Sequence, residues 1–186
     1  MLTSLALSLL LTGGAAQQPQ SRLAVIRKAP DFNLVNQDGK RVKLSDLNGK
    51  VLLVSFVFTT CNGSCPATTH RMASTQERVK EKTAGIEFVT ITLDPKRDTP
   101  EALKNYAKLF GLETDHWQFL TGSESDVNKT IADWGMWVKP LENGQLDHPS
   151  RIFLVDRKQR IREIYNVDLL RPADVLEDIV ELLKEK

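Results

Sequence analysis

The chain lacks the features by which composition alone announces a function. It has no excess of charge: 25 Lys and Arg stand against 24 Asp and Glu, a formal net charge of +1. No basic stripe or acidic tail disturbs that balance, which argues against nucleic acid as a partner. Cysteine is nearly absent, with two in 186 residues, too few for a disulfide framework. Histidine is also scarce, at three. There is no internal repeat and no low-complexity segment. A membrane-spanning helix needs about 20 apolar residues, and the most apolar stretch, residues 2–11, is shorter. Function must therefore reside in a local site.

What is present begins with that N-terminal stretch. Residues 1–16 carry no charge and end in Gly13-Gly14-Ala15-Ala16, the form of a secretory signal cut after Ala16, although no Lys or Arg follows Met1. An exported, periplasmic or otherwise extracytoplasmic protein is expected, with an uncleaved membrane anchor as the alternative. No cysteine lies near the cleavage point, so a lipid anchor is not expected. Residues 17–30 are expected to form a flexible lead-in, and residues 31–186 one domain, with 41% hydrophobic residues in the chain to fill its core.

Within that domain, Phe32, Leu34, Val42 and Leu44 flank Asn36-Gln37-Asp38-Gly39, a hairpin signal. Residues 51–58 are an apolar run rich in Val and Phe and read as a buried central strand, with 86–93 as a second buried strand. Helices are expected over 65–84, 99–110 and 123–134, a short strand over 117–120, and a hairpin from strands 151–155 and 161–165. A closing amphipathic helix is expected over 172–186. Alternating strands and helices imply parallel strands with right-handed crossovers. The expected fold is an α/β, thioredoxin-like sandwich: a mixed sheet with an N-terminal hairpin and an insertion around 112–147, before a C-terminal ββα unit.

Both cysteines sit at the end of the first buried strand, in Cys61-Asn62-Gly63-Ser64-Cys65-Pro66. Ligands in open α/β sheets bind at such strand ends. A bridge between Cys61 and Cys65 closes so small a loop that it restrains the unfolded chain little, so a structural staple is a poor reading. Redox exchange and metal capture remain. Redox pairs usually have two residues between the cysteines, and here there are three. A helix start favours thiolate, and two soft thiolates select Cu(I) or Zn(II) over hard cations.

The histidines are not equivalent. His116 precedes a strand expected to start at the far end of the sheet, and His70 lies five positions along the helix from Cys65, turned away from it. His148 precedes an expected antiparallel strand whose start faces the cysteine loop. Its imidazole is either a third ligand or a loop group that hydrogen-bonds.

The cysteine loop after a buried strand, the segment Asp94-Pro95-Lys96-Arg97-Asp98-Thr99-Pro100-Glu101, and Asp147-His148 before a strand together resemble the SCO/SenC family, from about residue 28 to the C-terminus. The resemblance implies a thioredoxin-like copper-binding factor that helps assemble the binuclear copper site of cytochrome c oxidase. It implies copper, as Cu(I) with Cu(II) as a second state, held by Cys61, Cys65 and His148. The implied partner is the copper-site subunit of the oxidase or another exported copper or thiol protein, with membrane proximity. Many members carry Pro and Asp inside the loop, where this chain has Asn62, Gly63 and Ser64. Asp94 is either an aid to His148 or to an oxidised copper ion, or a loop carboxylate satisfying backbone donors, the latter favoured. Asp98 or Thr99 is expected to cap the helix at Pro100, and Met136 and Trp137 to pack in the core. Two other functions use the same pair: a thiol-disulfide oxidoreductase, with Cys61 attacking and Cys65 resolving, and a redox or copper sensor. A zinc site fits on ligand type alone.

Overall fold

The structure is a computed structural model that describes residues 22–185, without the side chains of 81–83. The expected signal segment, residues 1–16, lies outside the described residues. Ten strands and four helices follow one another as β1 (Arg27–Lys28), β2 (Asn33–Asn36), β3 (Arg41–Lys43), β4 (Val51–Val57), α1 (Cys65–Val79), β5 (Ile86–Thr92), α2 (Pro100–Leu109), β6 (Trp117–Thr121), α3 (Glu124–Asp133), β7 (Lys139–Pro140), β8 (Leu146–Asp147), β9 (Arg151–Val155), β10 (Arg160–Asn166) and α4 (Pro172–Lys184). Eight strands form one mixed sheet in the order β1-β10-β9-β4-β5-β6-β2-β3, and β7 pairs with β8 alone.

The two strands expected to be buried became the centre of the sheet, as strands covered on both faces must. Every residue of β4 and of β5 is buried. They run parallel from Val51↔Ile86 to Val57↔Thr92, so both strands end at one edge. β6 continues the parallel set, and β9 flanks β4 antiparallel. The N-terminal hairpin forms as expected, with Gly39 at φ +77°, a conformation that a side chain would strain. Helix α1 ends at Val79, and a 3-10 turn over Lys80–Gly85 carries the chain on to β5. Thr99 caps α2, its hydroxyl accepting from the Ala102 N–H at 3.2 Å.

The helices close the sandwich. α1 packs against α4, and the Thr69 and Tyr106 hydroxyls join it to α2 at 2.7 Å. Trp134, just after α3, lies against Phe56 and Phe153 and is 1% exposed. Large side chains buried like these contribute about 1.5–3 kcal/mol each.

Residues 22–30, the described part of the expected flexible lead-in, are packed instead. β1 adds to the edge of β10, and Leu23 and Ala29 are buried. Arg22 pairs with Asp178 and Glu181 on α4. The polar run at 17–20 hid an apolar register that begins at Leu23.

Candidate metal centre

Sheet geometry places the site. Because β4 and β9 are antiparallel, with Ser55 opposite Ile152, the start of β9 lies beside the end of β4. The cysteine loop leaves β4 at that edge, and residues 148–150 enter β9 there. The Gly63 N–H donates to Cys61 Sγ at 3.4 Å, and the Thr68 N–H donates to the Ser64 carbonyl to open α1. Cys61 is half-buried, Cys65 is fully buried, and both are free thiols.

The electrostatics of Cys65 differ from the sequence expectation. A helix start favours thiolate, but here burial prevails. It pushes the Cys65 thiol well above its usual range, and the neighbouring Cys61 sulfur adds to the effect. Cys65 therefore keeps its proton at neutral pH unless a cation takes the proton's place.

His148 Nε2 lies 3.7 Å from Cys65 Sγ. Its Nδ1 is 3.0 Å from the Pro149 carbonyl oxygen. A carbonyl only accepts, so Nδ1 carries a proton, and in the neutral imidazole Nε2 is then the nitrogen with the lone pair, the ligand tautomer. Phe58 supports the ring edge-on at 5.9 Å. The two sulfurs and Nε2 all lie within 4.8 Å of one another, the only such set among the described residues. Metal bonds of about 2.0–2.3 Å in a trigonal plane separate donors by about 3.8 Å. Small side-chain movements bring this set onto one soft ion.

The other candidates fall elsewhere. His70 is exposed on α1 with its ring against Phe110 at 5.3 Å. His116 is at the opposite end of the sheet, its Nδ1 3.8 Å from Glu87 Oε2. The Asp94 carboxylate pairs with the Arg97 guanidinium. Asp98 does not cap α2. It is fully buried and accepts from the Thr59 N–H, the Thr59 hydroxyl at 2.5 Å and the Thr92 hydroxyl at 2.6 Å, tying together the ends of β4 and β5. Burial holds its carboxyl above the usual range despite those bonds. Met136 is in the core, whereas Trp137 is half exposed, contrary to expectation, because the chain turns outward toward β7 after Met136.

Two contacts had no counterpart in the sequence reading. Gln145 bridges the backbone on either side of Cys61: its Nε2 donates to the Thr60 carbonyl at 3.1 Å, and its Oε1 accepts from the Asn62 N–H at 3.2 Å. The Ser150 hydroxyl donates to the Ser64 hydroxyl at 2.9 Å, so Ser64 serves the loop rather than capping α1. Both join segments more than 80 positions apart, with no local pattern to reveal them.

Comparison with known proteins supplies the context. The SCO1/SenC family pattern matches residues 21–184. A SCO1/SenC family lipoprotein from Bacillus anthracis is 34% identical, with a TM-score of 0.79, over 85% of this chain and 96% of that one. BsSco, a member of the Sco family of cytochrome c oxidase assembly proteins in which a disulfide switch was identified, is 30% identical, with a TM-score of 0.77, over 87% and 97%. ScoI from Bradyrhizobium japonicum, solved with copper bound, is 28% identical, with a TM-score of 0.74, over 84% and 99%.

Proposed function

The chain belongs to the SCO1/SenC family, and on that premise we propose that it is an exported copper chaperone. In this reading its cargo is one copper ion, and its acceptor is the binuclear copper site of cytochrome c oxidase. The observation that carries the proposal is the convergence of Cys61 Sγ, Cys65 Sγ and the His148 ring nitrogen within 4.8 Å. The copper-bound relative and the assembly role of BsSco support it. The uncharged residues 1–16 support export. No helix among the described residues is long and apolar enough to cross a membrane.

The geometry suggests how uptake and loss are controlled. Two thiolates and an imidazole suit Cu(I). Binding releases the thiol protons, and the cation supplies the charge balance that the buried Cys65 otherwise lacks. Oxidation of the pair forms one S–S bond and gives up two electrons and two protons to a partner disulfide. It removes both sulfur donors at once. Copper loading is thereby tied to the redox state of the loop.

A second reading is favoured by the two free thiols themselves: reduction of a partner's disulfide, with no need for His148. Titration of reduced, metal-free protein with Cu(I) separates the two. Wild type is expected to take one equivalent, with weaker binding in His148→Ala and none in Cys65→Ser. Equal affinity in wild type and His148→Ala removes the imidazole from the site. Reduction of a disulfide substrate at the same rate in both then favours the oxidoreductase.

A further inference from the structure

We propose that Gln145 is a positioning residue that sets the direction of the Cys61 sulfur relative to His148. Cys61 needs such a device. It stands on a loop between β4 and α1, half-buried and packed only at the edge of the core that encloses Cys65. The Gln145 amide makes two hydrogen bonds, one to the residue before Cys61 and one to the residue after it. Both backbone groups at these positions are thereby engaged, and rotation of the peptide planes that aim Cβ–Sγ is restrained. An amide is the side chain that suits the task, since one partner is an acceptor and the other a donor.

The amide reaches the loop from the segment that carries the imidazole. Gln145 is three residues before His148, next to β8, and its own N–H is held by Asn143 Oδ1 at 3.0 Å. Arg97 also donates to the adjoining Gly144 carbonyl at 3.1 Å, anchoring the β7–β8 hairpin to the segment after β5. A shift of this hairpin therefore moves Nε2 of His148 and the Cys61 backbone together. The Cys61–His148 edge of the donor triangle is preserved when the hairpin moves.

The affinity arm of the test rests on the copper-chaperone reading, and the thiol arm does not. In reduced, metal-free protein, the alkylation rate of Cys61 relative to Cys65 is measured for wild type, Gln145→Ala, Gln145→Glu and Arg97→Ala. The ratio is expected to rise several-fold in Gln145→Ala. It should rise also in Gln145→Glu, whose carboxylate can accept from Asn62 but faces the Thr60 carbonyl without a proton to donate. Arg97→Ala, which loosens the hairpin and leaves the amide in place, should move it less. With Cu(I), affinity is expected to fall about 10–100-fold in both Gln145 variants, the scale found for groups that orient ligands. A Cys61-to-Cys65 ratio at the wild-type value in both Gln145 variants overturns the proposal. So does an equal change in Arg97→Ala, which assigns the effect to the hairpin as a whole. Should wild type take up no copper while the ratio still rises in the Gln145 variants, the positioning role stands and the chaperone reading falls.

Discussion

Among the polar clusters set into the apolar interior, two are built on opposite plans. At the turn between β9 and β10, Asp156 is 2% exposed and receives Arg160 and Arg162, while Arg162 also pairs with Glu185 and donates to the Leu23 carbonyl. Its charges are matched by opposite charges or by a carbonyl. At the end of β4, two free thiol sulfurs and an imidazole nitrogen converge within 4.8 Å, with no acidic or basic side chain in the set besides the ring. The first cluster is a closed set of ion pairs and secures the C-terminal segments and the residues before β1. The second is held by weak contacts between neutral groups that all can serve as soft-metal ligands, which marks it as the working site.

That contrast can be broken by substitution. The largest effect is expected from Cys65→Ser. Stoichiometric Cu(I) uptake is lost, while the circular dichroism spectrum and melting temperature stay near wild type, since the change replaces one small buried group by another. Next is Arg162→Ala, which leaves Asp156 and Glu185 with fewer partners. Loss of one member of a buried ion cluster costs about 3–5 kcal/mol, read from denaturant unfolding. Copper affinity of the remaining folded protein should not change, and a parallel loss of affinity would show that the clusters are coupled. His148→Ala is expected to weaken Cu(I) binding at least about tenfold, given the effect known for groups that merely orient ligands. Stability should be nearly unaffected.

The smallest effect concerns pH. Burial raises the Asp156 carboxyl, but hydrogen bonds from Arg160 and Arg162 outweigh it and leave the group below its usual range. A carboxyl lowered on folding stabilises the protein above its unfolded pKa of about 3.9, and that contribution is lost as pH falls through the folded value. The stability gap between wild type and Asp156→Asn should hold from pH 7 to 5 and close below about pH 4. A gap that widens on acidification contradicts the ion-pair account.

The framework of the second cluster was legible in the sequence, and the ion pairs of the first were not. The runs at 51–58 and 86–93 placed the central strands, because a strand buried on both faces has no alternation to blur it. Antiparallel entry of β9 then brought His148 to the cysteines by topology alone. Besides the Gln145 and Ser150 contacts and the exposure of Trp137, three features escaped. The raised pKa of Cys65 depends on how completely a helix start is covered, which local pattern does not report. Asp98 looked like a helix cap, because Asp before Thr-Pro-Glu has the form of one, yet its partners are on β4 and β5. Leu23 and Ala29 looked like part of a free lead-in, because β1 has only two residues and its pairing partner, β10, lies far along the chain.

The unequal burial of the two cysteines imposes a sequence of events on ligand exchange. An incoming donor reaches an ion in this site only past Cys61 or His148, both partly open to solvent, because Cys65 is sealed beneath the helix start. The outer bonds must be replaced first, and the Cys65–metal bond is the last to break. Under the proposed chaperone function, departure would proceed through a mixed intermediate in which the ion is already held by its recipient, and entry would retrace the same path in reverse.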